Sequence, residues 1–206
     1  MTSPTAASFD SETSNLAVAL QAGKKVPPDV TQLLADDHRT VLGWFRWYEA
    51  TTDLAVRRQL VQRICMAIRA HMAAEEEFLY PAVARTQTGA PTAERALAEH
   101  AQAKKLIDEL EADPDEAAAT DRLVAKLRSE IEAHVTEEET ELFPLAQRAS
   151  IDLYALGCAV AAQRVETLLE LQSRSAVGRK STRGDVSRKS AKARRSKRSS
   201  SSRSDG

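Results

Sequence analysis

Four histidines occur in this 206-residue chain, and two of them open copies of the same phrase. Ala70-His71-Met72-Ala73-Ala74-Glu75-Glu76-Glu77-Phe78-Leu79-Tyr80-Pro81 matches Ala133-His134-Val135-Thr136-Glu137-Glu138-Glu139-Thr140-Glu141-Leu142-Phe143-Pro144 at the histidine, at glutamates four and five residues on, and at the proline. The copies stand 63 residues apart, and the other two histidines, His38 and His100, stand 62 apart. Residues i and i+4 lie one above the other on a helix. His71/Glu75 and His134/Glu138 therefore each set an imidazole and a carboxylate on one stripe. Those stripes run on into Ile64, Ile68 and Phe78, and into Leu127, Ile131 and Leu142, so both face a core. His38 shares a stripe with Leu34 and Phe45, and His100 with Leu97 and Ile107. Four imidazoles and two carboxylates gathered in an apolar interior are costly unless compensated. Two divalent cations compensate them most economically, and mixed nitrogen and oxygen donors suit iron or manganese better than tetrahedral zinc. Such a ligand count leaves coordination positions for water, oxygen or peroxide.

A lone His-x-x-x-Glu is ordinarily a surface pair, and a lone inward histidine ordinarily a satisfied core residue. Two copies in register, each preceded by one more histidine, favour metal binding instead. The remaining acids of the repeat (Glu76, Glu77, Glu137, Glu139, Glu141) read most simply as a solvated face. Tyr48, ten residues after His38, is a candidate donor to a metal-bound ligand, with packing beside Trp44 and Trp47 as its plainer role. Cys65 and Cys158 are too isolated for a disulfide framework and read as small buried apolar residues. No phosphate loop, nucleophile elbow or dinucleotide fingerprint occurs.

The elements that position these residues are helices. Aromatics make up only 4% of the chain, with seven Gly and seven Pro, which disfavours sandwiches and barrels. Pro27-Pro28-Asp29 opens a helical pattern that runs to about Thr51, and Asp53 is a fitting cap for a second that reaches about Arg85. Gly89-Ala90-Pro91-Thr92 breaks the chain, with Thr92 a candidate cap for a third helix. Asp113-Pro114 breaks it again before a fourth that ends near Arg148. Pro81 and Pro144 should kink or end their helices. Short connections make the helices antiparallel, so the expected architecture is an all-α, up-down-up-down four-helix bundle over residues 28–149. An additional amphipathic helix is expected over 150–172. Each histidine precedes its partner by 33 or 34 residues, so the bundle is a helical hairpin written twice, with pseudo-twofold symmetry.

The order His38, His71-x-x-x-Glu75, His100, His134-x-x-x-Glu138, followed by Leu-x-Pro or Leu-Phe-Pro, resembles the hemerythrin-like cation-binding domains over about Val30 to Arg148. The resemblance implies a non-haem di-iron centre in a four-helix bundle, with both acidic ligands bridging the irons. Carried over by position, the metal ligands are His38, His71, Glu75, His100, His134 and Glu138. Two irons per chain are implied, manganese being less suited. Ferritin-like di-iron proteins match less well, because their signature is Glu-x-x-His. Oxygen-carrying members of the family have a second histidine one turn after the third-helix histidine, where this chain has Lys104. That departure disfavours reversible oxygen carriage and favours redox chemistry with oxygen, peroxide or nitric oxide, or sensing of them. Peroxide consumption is the enzymatic form of that expectation. Glu130, at i−4 from His134, is a candidate extra ligand, and Lys104 a candidate additional or outer contact. Asp37 and Glu99 lie about 100° around the helix from the adjacent histidines and suit outer contacts to the site.

Charge divides the chain. Residues 173–206 hold twelve Lys/Arg against Asp185 and Asp205, a balance of +10, and the remainder carries −11. Rich in serine and poor in apolar side chains, this tail is expected to be disordered, and residues 1–27 are expected to be a flexible segment. Lacking aromatics, it suits non-specific, salt-sensitive nucleic-acid contact. The amino terminus shows no secretion signal and no stretch is long enough to span a bilayer, so a cytoplasmic setting is expected, nucleoid-associated if the tail holds DNA. Two other roles remain open from sequence: a redox sensor coupled to DNA through the tail, and iron storage.

Overall fold

The computed structural model describes residues 29–112 and 117–173, so the expectations for residues 1–27, the Asp113-Pro114 break and the basic tail beyond Ser173 lie outside the described residues. Helix α1 spans Val30–Ala50 and α2 spans Leu54–Ala74. A π-helical turn, Glu75–Leu79, carries α2 without a break into the short α3, Tyr80–Ala84. Helix α4 spans Ala90–Glu111 and α5 spans Ala117–Glu137. A second π-helical turn, Glu138–Leu142, leads into α6, Phe143–Arg148. The last helix, α7, covers residues 153–173. Helix α1 packs on α2 and α4 on α5, while α2–α4 and α1–α5 contacts close the bundle. Among the described residues no helix is long and apolar enough to cross a membrane.

Local chemistry sets the helix ends. Asp29 Oδ1 accepts from the Gln32 amide at 3.1 Å, and Asp53 Oδ1 from the amides of Ala55 and Val56 at 2.8 and 3.3 Å. Each satisfies donors that the first helical turn leaves free. Thr92 is not the third cap: α4 already begins at Ala90, with Pro91 in its first turn and Gly89 before it. A Cβ on Gly89 would stand 2.1 Å from the Val83 carbonyl oxygen, so the close approach of α3 to the loop requires glycine there.

The two prolines neither end nor break their helices. Proline lacks the amide that would donate to the fourth residue back. The turn before each one widens instead, so that the Tyr80 amide donates to the Glu75 carbonyl and the Phe143 amide to the Glu138 carbonyl. These i→i+5 turns insert one extra residue per turn and set the helical phase back by one position. Leu79, Tyr80, Leu142 and Phe143 are consequently buried, while Phe78, expected inward from a 3.6-residue period, is only partly so.

Apolar packing occupies both ends of the bundle. One cluster gathers Val41, Phe45, Leu60, Ile64, Ile68, Leu106, Ile107, Leu127 and Ile131 among others. The other gathers Val30, Leu34, Leu79, Tyr80, Val83, Ala96, Leu142, Phe143 and Val160. All four histidines fall between the clusters along their helices. Leu97 is 43% exposed rather than inward, because the buried stripe of α4 runs through Ala93, Ala96, His100, Ala103 and Ile107. Cys65 is buried in the first cluster, and burial, then the Glu111 carboxylate, push its thiol up to about 12. Cys158 is exposed on α7, contrary to its expected burial.

Candidate metal centre

Each histidine presents its Nε2 to the middle of the bundle and its Nδ1 to a carboxylate. His38 Nδ1 lies 2.9 Å from Glu139, His71 Nδ1 3.3 Å from Asp37, His100 Nδ1 2.9 Å from Glu76 and His134 Nδ1 2.7 Å from Glu99. The pseudo-twofold symmetry extends to these partners: Asp37 and Glu99 precede His38 and His100, and Glu76 and Glu139 follow Glu75 and Glu138. A carboxylate on Nδ1 fixes the proton there in the neutral ring and turns the Nε2 lone pair inward. Glu76 and Glu139 therefore face the site and are not simply a solvated face. In each π-helical turn the residue after the inward glutamate still reaches a histidine on another helix.

The inward atoms form two matched halves. His38 Nε2 and His71 Nε2 stand 3.1 Å apart, as do His100 Nε2 and His134 Nε2. Their ring centroids are 4.8 and 4.7 Å apart, at interplanar angles of 59° and 61°. Glu75 Oε2 lies 3.1 Å from His71 Nε2 in one half and 3.4 Å from His100 Nε2 in the other. Glu138 Oε2 likewise lies 3.4 Å from His134 Nε2 and 3.4 Å from His38 Nε2. Each carboxylate thus spans both halves. Among the described residues, His38, His71, Glu75 and Glu138 form one group able to hold an ion, and Glu75, His100 and His134 a second.

These donors fit a cation in three respects. Two inward imidazole nitrogens 3.1 Å apart need a proton or a cation between them, since two neutral rings with Nδ1 protonated repel there. Imidazole nitrogens bond a divalent ion at roughly 2.0–2.1 Å, so two of them at a right angle stand about 3 Å apart. Glu75 Oε1 and Glu138 Oε2 are buried and accept no hydrogen bond, the nitrogens around Glu138 Oε2 being within ion-pair reach only. Orphaned buried acceptors call for an explanation, and an ion supplies one.

Electrostatics point the same way. Burial works against charge on the His71 imidazole, but Glu75 and then Asp37 outweigh it and raise its pKa to about 10. Burial likewise opposes charge on His100, whose pKa is raised by Glu75 and Glu76. Glu75 is held well below its ordinary value despite burial, by His71 and His100. Six carboxylates (Asp37, Glu75, Glu76, Glu99, Glu138, Glu139) surround four imidazoles, a field that draws in positive charge.

Tyr80 breaks the symmetry. Its hydroxyl donates to Glu138 Oε1 at 2.7 Å and lies 2.9 Å from His100 Nε2, with Glu75 Oε2 at 3.5 Å. Burial, then the charges of Glu75 and Glu138, push its pKa well above the ordinary phenol value, so it stays protonated and is a hydrogen-bond donor at the site. The corresponding residue in the second repeat is Phe143, which stacks on His38 at 5.8 Å. Beside the imidazoles lies a cavity of about 20 Å³ lined by Asp37, His38, Val41, Ile68, His71, Met72, Ile131, His134 and Val135.

Of the three further candidates, Tyr48 and Glu130 lie away from the imidazoles and Lys104 makes an outer contact. Tyr48 donates to Asp121 at 2.6 Å at the far end of the first apolar cluster, with the Arg57 guanidinium over its ring. Ten residues of helix carry it about 15 Å from His38, beyond reach of the site. Glu130 is exposed, because the inward stripe of α5 passes through Val124, Leu127, Ile131 and His134. Lys104 Nζ binds Glu76 at 2.6 Å and so supports the carboxylate on His100 without itself facing the imidazoles.

The hemerythrin HHE cation-binding domain model matches residues 29–146. A crystal structure of a hemerythrin HHE cation-binding domain-containing protein from Mycobacterium kansasii superposes with a TM-score of 0.59 at 22% identity, covering 69% of this chain and 89% of that one. That likeness establishes the same fold. Among curated proteins none matches the chain significantly.

Proposed function

The chain belongs to the hemerythrin HHE cation-binding family, and from that premise we propose that it holds two irons and reacts with a small oxidant: dioxygen, peroxide or nitric oxide. One observation carries this reading. Two equivalent histidine pairs are spanned by two buried carboxylates, each within reach of both halves. His38, His71, His100 and His134 would hold the metals with Glu75 and Glu138, in the order the sequence repeat predicts. A pair of irons supplies two coupled one-electron changes and open positions for a small oxidant. The chain's own residues do the rest. The four Nδ1 carboxylates fix the rings, and Tyr80 holds a proton 2.7 Å from Glu138 Oε1. Val41, Ile68, Met72, Ile131 and Val135 keep the adjoining cavity apolar and, at about 20 Å³, suited to a ligand of one or two heavy atoms.

Peroxide consumption is the reaction this arrangement supports best. Two molecules of hydrogen peroxide yield dioxygen and two waters, one molecule losing the two electrons that the other gains. Reconstituted protein is expected to retain two irons per chain, absorb in the near ultraviolet, change that spectrum on addition of peroxide and evolve dioxygen. His71→Ala should lose all four properties. A protein that binds iron but leaves peroxide intact would be a sensor instead, and retention of many more than two irons would indicate storage.

A second reading concerns the +10 segment, residues 173–206, whose lysines and arginines suit non-specific contact with nucleic acid. Deleting that segment should abolish a DNA mobility shift that weakens as salt rises. An unchanged shift would remove DNA as a partner.

A further inference from the structure

Helix α7 lies beyond the residues matched by the family model, yet it reaches the candidate metal centre. Its inward face carries Leu153 and Leu156, partly buried against the second apolar cluster, and then Val160, which is fully buried in it. One turn further on the same face is Arg164. Its Nη2 donates to Asp37 Oδ1 at 2.5 Å, and the other oxygen of that carboxylate, Oδ2, faces His71 Nδ1 at 3.3 Å. Both side chains of the ion pair are largely shielded, Arg164 at 13% and Asp37 at 16% exposure. Asp37's counterpart in the second repeat, Glu99, is 33% exposed. The added helix therefore covers one half of a nearly symmetric site.

We propose that Arg164 is a positioning residue for His71, so that retention of the metal on the His38–His71 half depends on the C-terminal helix. The inference rests on the two-metal reading above. Asp37 can rotate about its side chain, and only one orientation directs Oδ2 to the His71 ring. Arg164 holds the carboxylate from the opposite side and removes that freedom. Partly buried, charge-assisted contacts of this kind are stronger and more directional than exposed pairs. Carboxylates that orient metal-binding histidines characteristically change metal affinity by about 10–100-fold when removed. Because the His100–His134 half has its own carboxylates, Glu76 and Glu99, it should not sense Arg164.

The test is metal release from the full chain to a chelator, followed for Arg164→Gln, Arg164→Lys, Asp37→Asn and the Asp37→Asn/Arg164→Gln double variant. Arg164→Gln should release one of its two metals about tenfold faster and the other at the wild-type rate. Arg164→Lys should restore most of the difference. In the Asp37→Asn background, Arg164→Gln should change nothing further. In the metal-free protein, the proton on His71 Nδ1 should exchange with water about tenfold faster in Arg164→Gln, while that on His134 Nδ1 is unaffected. Equal acceleration of both metals, or of neither, overturns the proposal, as does unaltered His71 proton exchange. A wild-type chain that takes up no metal defeats the two-iron reading, and the exchange measurement still decides the role of Arg164.

Discussion

Glu75→Gln should reduce metal content from two ions per chain to one at most, and weaken retention of any remaining ion at least ~100-fold. The exchange leaves volume nearly unchanged, so packing around this fully buried side chain survives. What it removes is charge at one of the two positions, Glu75 and Glu138, that touch both halves. Glu75 Oε2 lies within 3.4 Å of His71 Nε2 and His100 Nε2, which belong to different imidazole pairs. A neutral amide there contributes a poorer oxygen donor and places NH₂ hydrogens against nitrogens that should bind a cation. Elemental analysis of reconstituted protein after chelator challenge reads the effect. Glu130→Gln is the matched control. Spacing alone makes Glu130 a candidate ligand, but its side chain is exposed outside the cluster, so both ions should remain. Full metal content in Glu75→Gln would mean that the ions sit elsewhere.

The contrast between those two glutamates marks where spacing informs and where it fails. The His-x-x-x-Glu copies, the 33- and 34-residue intervals and the alternation of breaks with apolar stripes predict which helices meet and at what depth. They do so because helical rise and phase are uniform along ordinary α-helix. The carboxylates on His71 and His134 were also within sight, since Asp37 and Glu99 sit next to inward histidines. Uniform phase is lost at the π-helical turns. One extra residue in the first of them brings Leu79 and Tyr80 inward at Phe78's expense, so a 3.6-residue period does not place Tyr80 at the site. The roles of Glu76 and Glu139 are hidden from spacing for another reason. Both are partly exposed, as a solvated face requires, but their carboxylates bend back to imidazoles on neighbouring helices. Only the crossing of two chain segments reveals that contact. Arg164 is the extreme case, 127 residues from Asp37 and on a helix whose own pattern gives no hint of a metal.

Tyr80→Phe is expected to lower peroxide consumption about 100-fold while leaving two irons per chain in place. Phenylalanine fits the position sterically, for Phe143 occupies the equivalent place in the second repeat with its ring against His38. The only group removed is a hydroxyl that donates to Glu138 Oε1 at 2.7 Å and lies 2.9 Å from His100 Nε2. Burial and the two nearby carboxylates keep that phenol protonated, so in the wild-type chain it holds a proton against Glu138 Oε1, the carboxylate that spans both halves. Cleaving the O–O bond of peroxide requires protons on the departing oxygens, and Tyr80 is the one neutral hydroxyl donor that the described residues bring to the imidazoles. The loss should therefore appear in kcat and scarcely in KM, since uniform binding of so small a molecule does not depend on the phenol. Steady-state oxygen evolution together with metal analysis separates the outcomes. Unchanged kcat would reduce the hydroxyl to a cap on Glu138, and loss of iron would assign Tyr80 to holding metal.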